Sequence, residues 1–262
     1  MIDIHCHILP SIDDGAASLT ESLMMAREAQ KQGIRKIVAT PHHQNGKFIN
    51  TRDQILGIVD YMNGKLRSEN IQVEILPGQE TRIYGDILED LEKKEILTLN
   101  GNSRYILIDF PENHIPYYTT QLFFDMQIAG YTPIIAQPER NRELFVNPDK
   151  LYRLVRNGAL IQVKAGSVVG RGGKGIRSFV EQMLRSNLVH FIASDAHNGK
   201  KRNYLMREAF QEIKRINGSV YGHQLIENSE AIITGQPIHK HIPERMASKN
   251  ILGFYSRLPK SK

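Results

Sequence analysis

Met1-Ile2-Asp3-Ile4-His5-Cys6-His7 opens the chain. Side chains alternate along a strand, so His5 and His7 project to one side and Cys6 to the other. Two imidazoles on one face of a strand end suit a shared metal ion, although an isolated His-x-His reads equally as two ordinary polar residues. The segment 2–6 is the first of seven short apolar runs, the others being 35–39, 72–77, 105–108, 132–136, 159–163 and 188–193. Most are rich in Val and Ile and are bounded by Gly, Pro, Asn or charges. Helical patterns lie between them at 19–31, 52–68, 86–94, 117–129, 148–156, 176–186 and 204–215. The first is opened by the capping-box residues Ser18-Leu19-Thr20-Glu21 and closed by Gly33. Strand–helix alternation of this kind predicts an α/β fold with parallel strands, closed in a barrel or doubly wound.

The 262 residues, 40% hydrophobic and 24% charged, have the composition of a globular protein. No apolar run approaches the roughly 18–20 residues that span a bilayer, and no secretory leader is expected ahead of a strand that starts at residue 2. The single cysteine, Cys6, permits no internal disulfide and agrees with a cytoplasmic location. Five of the six net positive charges fall in 237–262, where Lys240, Arg245, Lys249, Arg257, Lys260 and Lys262 face only Glu244. The expected organisation is therefore a near-neutral body, 1–236, with a basic tail, 237–262. The tail reads as a solvated terminus, or as a docking arm for an acidic membrane surface or acidic partner. No reader motif or aromatic-interleaved basic patch points to nucleic acid. Neither a dinucleotide-binding nor a P-loop glycine pattern is present; the glycine-rich stretch 170–175 reads as a loop, with phosphate contact as the alternative.

In a parallel barrel, chemistry collects at the C-terminal ends of the strands. Those ends read His5 and His7 with Asp13-Asp14-Gly15, Thr40-Pro41-His42-His43, Gly78-Gln79-Glu80, Asp109-Phe110, Gln137-Pro138-Glu139-Arg140, Lys164, and Ser194-Asp195-Ala196-His197. Polar strand ends alone follow from facing solvent, but these residue types are less easily explained that way. Imidazole and carboxylate together form the ligand set of hydrolytic Zn, Mn or Fe sites, in which one carboxylate can bridge two ions. His43 reads as a neighbour, His190 as a hydrogen-bonded structural histidine within its strand, and Cys6 as a small apolar group under the helices.

In order and spacing, these motifs resemble the PHP (polymerase and histidinol phosphatase) metallo-phosphoesterases over about residues 1–235. More narrowly, they are similar to the manganese-dependent protein-tyrosine phosphatases of bacterial capsule and exopolysaccharide operons. The resemblance implies a distorted seven-stranded (β/α)7 TIM-like barrel and a site for three metal ions. The first ion would take His5, His7, Glu80 and Asp195; the second Glu80, Asp109 and residue 137; the third Asp14, His42 and His197. Arg140 and Arg202 would bind phosphate. The implied ion is Mn²⁺, with iron and zinc also suited to these ligands, and the implied partner is a phosphotyrosine protein such as the tail of a bacterial tyrosine kinase. A small-molecule phosphatase of the histidinol-phosphate kind, or a weakened barrel that only binds phosphoprotein, are the alternatives.

Three positions depart from the family pattern. Gln137 stands where the family has His, Asp109 where it usually has Glu, and Lys164 where it usually has a small polar residue. The first two fall on the second metal, and a glutamine carbonyl is a weak ligand beside imidazole. The Lys164 ammonium is expected to replace that ion's charge by pairing with Asp109 and Glu80. This expectation gives two ions per chain rather than three, and a reduced rate; the alternative is a solvent-facing Lys164 with Gln137 tolerated as a ligand of a third ion.

Overall fold

The computed structural model of the chain describes residues 1–199 and 202–247. Within them the apolar runs become the strands β1 (Ile2–Cys6), β2 (Lys36–Ala39), β3 (His42–His43), β4 (Glu74–Pro77), β5 (Glu80–Arg82), β6 (Tyr105–Asp109), β7 (Thr132–Ala136), β8 (Leu160–Lys164) and β9 (Phe191–Ala193). The helices are α1 (Leu19–Lys31), α2 (Arg52–Ser68), α3 (Ile87–Glu92), α4 (Thr119–Ile128), α5 (Arg142–Val146), α6 (Pro148–Arg156), α7 (Ala165–Val168), α8 (Lys174–Arg185), α9 (Met206–Asn217) and α10 (Ser219–Thr234). Every strand pairing is parallel. Alternation along the strands builds two apolar layers. Val38, Leu76, Leu107, Ile134, Leu160 and Phe191 share an inner cluster with Ile4. Their neighbours Ile37, Ile75, Ile106, Ile135, Ile161 and Ile192 turn outward to pack under the helices. Strands buried on both faces are the mark of a parallel sheet covered by helices.

The strands do not form the expected closed seven-stranded barrel. The described residues hold nine strands in two sheets, ordered β1-β2-β4 and β3-β5-β6-β7-β8-β9. The second apolar run stops at Thr40-Pro41, where proline has no N–H for the ladder, and resumes as β3. The third stops at Gly78 and resumes as β5. A Cβ at Gly78 would lie 2.7 Å from Val38 Cγ1, so only glycine lets the chain cross β2 this closely. Each break moves the chain from the first sheet to the second and delivers His42 and Glu80 as register partners.

Between β1 and β9 there is a seam rather than a ladder. A single bridge links Cys6 to Ala196, the Asp195 amide donates to the His5 carbonyl at 2.9 Å, and the His7 amide donates to the Ala196 carbonyl at 2.9 Å. Buried Asp3 completes it by accepting from the Ser194 amide at 2.9 Å and from its hydroxyl at 2.5 Å. The seam sets the strand bearing His5 and His7 beside the segment bearing Asp195 and His197.

The start of the basic segment runs back along the body. The His239 amide donates to Asn228 Oδ1 at 2.7 Å and the Glu244 amide to the Ser186 carbonyl at 2.9 Å. The Arg245 guanidinium lies 4.7 Å from the centre of the Tyr152 ring. Thus 237–247 straps back over α6, α8 and α10, whereas the remaining basic residues of the tail, Lys249, Arg257, Lys260 and Lys262, lie outside the described residues. Among the described residues no helix is long and apolar enough to cross a membrane.

Replacing Asp3 by Ala leaves the buried Ser194 amide without its acceptor and the Ser194 hydroxyl with only a longer contact, 3.4 Å, to the His5 carbonyl. The Asp3→Ala chain should lose about 2 kcal/mol of stability in denaturant unfolding, with a matching loss absent from a substitution at exposed Glu74.

Candidate metal centre

The His5 Nδ1–H donates to Gln162 Oε1 at 2.8 Å, and the His7 Nδ1–H donates to Asp13 Oδ2 at 2.6 Å. Each bond fixes a tautomer and leaves Nε2 with its lone pair directed at Glu80 and Asp195. The two Nε2 atoms are 3.3 Å apart. Both are 3.4 Å from Glu80 Oε2 and 3.4 Å from Asp195 Oδ1. A triangle of donor atoms with such sides accommodates an ion about 2.1 Å from each corner, the usual metal–imidazole distance. Glu80 Oε2 is buried without a properly directed hydrogen bond, and so is His42 Nδ1, although the two lie 2.8 Å apart. Buried polar atoms left unpaired in this way call for a missing partner, and a cation fits that role.

Beside this cluster, Asp14 Oδ1 lies 3.3 Å from His42 Nε2 and 3.4 Å from His197 Nε2. The ligand atoms of His7, Asp14, His42 and His197 all fall within 4.8 Å of one another. The His197 Nδ1–H donates to the Asp195 carbonyl at 3.0 Å, which again leaves Nε2 as the acceptor nitrogen. His7 Nε2 has one lone pair and can serve one ion. If it goes to the cluster with His5 and Glu80, then Asp14, His42 and His197 remain for a second ion.

Local sequence explains this convergence. Asp13 also accepts the amides of Gly15 at 2.9 Å and His42 at 3.1 Å, clamping the loop after β1 onto β3. A Cβ on Gly15 would sit 2.2 Å from the His7 carbonyl oxygen, which accounts for glycine in Asp13-Asp14-Gly15. At two strand ends, Gln137 and Asp195 have φ of +45° and +49°, a left-handed conformation that non-glycine residues adopt at a cost and that clusters at functional sites.

The charges are strongly coupled. Burial opposes protonation of His42, but the Asp14 and Glu80 carboxylates outweigh it and raise its pKa to about 9. His7, despite burial, is raised by Asp13, Asp195 and Glu80. Burial and the neighbouring His7 lower His197 to about 4. The adjoining His197 and His42 rings and the Arg202 guanidinium hold the Asp14 carboxyl well below the usual carboxylate range. Protons therefore occupy charge positions that a bound ion would take.

Asp109 and Gln137 line the same cavity, about 500 Å³ in volume, with Arg140, Arg202, Phe48 and Arg82. Asp109 joins neither candidate ligand cluster. Asp109 Oδ2 instead pairs with Arg82 Nη2 at 2.8 Å, its cross-strand neighbour, and burial together with Glu80 raises its pKa to about 7. Lys164 does not pair with Asp109 and Glu80 as expected; its ammonium contacts Asp195 Oδ2. Its partner is set by the β8–β9 register, which puts Lys164 opposite Ala193, two residues before Asp195. Arg202 Nη1 donates to Asp14 Oδ2 at 2.9 Å, and its Nη2 contacts His197 Nε2. His43 stands aside from the clusters, its Nδ1–H donating to the Asn50 carbonyl at 2.8 Å. Buried His190 accepts the Ile161 amide at 3.1 Å and is structural. Buried Cys6 packs in the outer apolar layer. Gln162 and Arg82 act on site groups but were not among the expected site residues, and Asp13, expected at the strand end, takes the supporting role of orienting His7. Gln162 and Arg82 alternate with apolar strand residues, a pattern that could have marked inward-facing positions.

The family described as capsular polysaccharide synthesis, CpsB/CapC, matches residues 1–234. The chain belongs to this family. It is 46% identical over 255 residues to the tyrosine-protein phosphatase YwqE of Bacillus subtilis, covering 97% of this chain and 100% of that protein. It is 33% identical over 247 residues to the tyrosine-protein phosphatase CpsB of Streptococcus pneumoniae, covering 91% and 100%. A crystal structure from work on YwqE and CpsB, described as unique metal-dependent tyrosine phosphatases, superposes with a TM-score of 0.92 at 47% identity, over 95% of this chain and 100% of that one. A β-aspartyl dipeptidase from Fervidobacterium islandicum, with a TM-score of 0.50 and 12% identity over 93% of this chain and 78% of that one, shares the fold alone.

Two outcomes test the site. Gln162→Leu removes the acceptor that orients His5 and should weaken Mn²⁺ binding about 10- to 100-fold in titration calorimetry. An ion entering beside His42 must displace its proton, so apparent affinity should rise with pH between about 6 and 9, with proton release detectable in buffers of different ionisation enthalpy.

Proposed function

We propose that this chain is a metal-dependent tyrosine-protein phosphatase that hydrolyses phosphotyrosine on a bacterial protein kinase and thereby regulates capsule or exopolysaccharide synthesis. One observation carries the reading: two adjoining imidazole–carboxylate clusters and the guanidinium groups of Arg140 and Arg202 share one cavity. Family membership and the names of the relatives agree with it. The ions are read as manganese from the family resemblance, and the imidazole and carboxylate donors suit it as they suit iron and zinc. The two sheets are read as a distorted barrel completed by the β1–β9 seam. A cytoplasmic location goes with a lone cysteine and a cytoplasmic kinase target.

When bound, the ions would supply Lewis-acid charge and lower the pKa of water. The residues do the rest. His5, His7, Glu80 and Asp195 hold one ion, and Asp14, His42 and His197 the other. Gln162 and Asp13 keep the two Nε2 atoms aimed. Arg140 and Arg202 bind the phosphoryl oxygens and offset the charge that builds on them during in-line displacement. Phe48 stacks over His42, with ring centres 6.2 Å apart and planes 11° from parallel, and forms an apolar wall for the tyrosyl ring.

An aryl phosphate assay with added Mn²⁺ tests this. Hydrolysis should disappear with a chelator, and Arg202→Ala should lower kcat/KM about 100-fold. A phosphotyrosine peptide should be preferred to histidinol phosphate; the opposite preference would favour a small-molecule phosphatase, and binding without turnover a phosphoprotein-binding barrel.

A further inference from the structure

The cavity has an acidic side, of which the ligand clusters use only part. Glu80, Asp109 and Asp195 all reach it, and three carboxylates around one space require compensating positive charge. The chain's own cations supply it. The two oxygens of Asp195 face different ways: Oδ1 is 3.4 Å from both His5 Nε2 and His7 Nε2, while Oδ2 is taken by the Lys164 ammonium. Lys164 is built into this position. Its amide donates to Oε1 of buried Glu139 at 3.0 Å, and its side chain is 17% exposed. Asp109 Oδ2 is held by Arg82 at 2.8 Å. The remaining polar group at this side, Gln137, brings only a neutral amide, whose Oε1 lies 3.5 Å from Arg140 Nη1. Amide oxygen is a poor match for an ion that the neighbouring imidazoles would hold. Among the described residues the candidate ligand sets of histidine and carboxylate number two, and neither contains Asp109.

We propose that the centre takes two divalent ions, and that the Lys164 ammonium, seated on Asp195 Oδ2 with Arg82 on Asp109, is a resident cation that excludes a third. The inference rests on the reading that the two imidazole–carboxylate clusters bind metal. An ammonium on Asp195 keeps that carboxylate monodentate toward the first ion and repels a further dication from its second oxygen. It supplies charge to a bound phosphoryl group without being able to activate water. Lys164 thus acts as a positioning residue for Asp195, and its removal alters how many ions bind.

The test is the ion count. The full chain is saturated with Mn²⁺, desalted and measured by elemental analysis, alongside Lys164→Thr/Gln137→His. The wild-type chain should carry two ions and the double variant three. Three in the wild type would overturn the role given to Lys164 while leaving the metal centre standing. One or none would overturn the metal centre itself. A folded double variant, judged by circular dichroism, that still carries two would also overturn the proposal. If that variant does not fold, Lys164→Gln in titration calorimetry must show an Mn²⁺ binding event beyond those of the wild type, and its absence would count against the proposal.

Discussion

The site depends on one constraint: His5 Nε2, His7 Nε2 and Glu80 Oε2 converge from two strands with their lone pairs facing one another. Buried acceptors arranged in this way repel unless a proton or a metal ion lies between them. The surrounding structure holds them in place. Gln162 and Asp13 fix the imidazole tautomers, the Asp3–Ser194 contact locks the seam, and the breaks at Pro41 and Gly78 bring His42 and Glu80 into register. A fold organised only for stability would have little reason to bring so many charged groups together beneath an open cavity.

Much of this was legible in the sequence, and the exceptions have physical causes. All seven apolar runs became strands because two-sided burial needs continuous Val/Ile-rich segments. β3 and β5 were missed because strands of two and three residues carry no periodicity. Helix α10 was missed because Gly222, Asn228 and Ser229 interrupt its apolar pattern. Gly222 lets the helix approach Lys214, where a Cβ would come within 3.2 Å of Lys214 Cγ, and Asn228 bonds the His190 and His239 carbonyls at 3.1 and 3.0 Å. The division into two sheets depends on strand pairing between distant segments, which local pattern does not encode.

The site residues show the same division. Histidines and carboxylates at strand ends were readable from residue type and spacing, and the structure brings His5, His7, Asp14, His42, Glu80, Asp195 and His197 together. The partners of Asp109 and Lys164 were not readable. Choosing among several nearby carboxylates depends on register across β5–β6 and β8–β9, which gave Asp109 to Arg82 and Lys164 to Asp195. Sequence identified the departure from the family pattern, whereas the geometry identified the carboxylate that it neutralises.

A crystal structure of the Mn²⁺-loaded chain with anomalous scattering at the manganese edge tests the central claim most directly. One peak should be bounded by His5, His7, Glu80 and Asp195, a second by Asp14, His42 and His197, with the Lys164 ammonium still on Asp195. A chain without manganese at these two positions, or with an ion coordinated by Gln137 and Asp109, would contradict it.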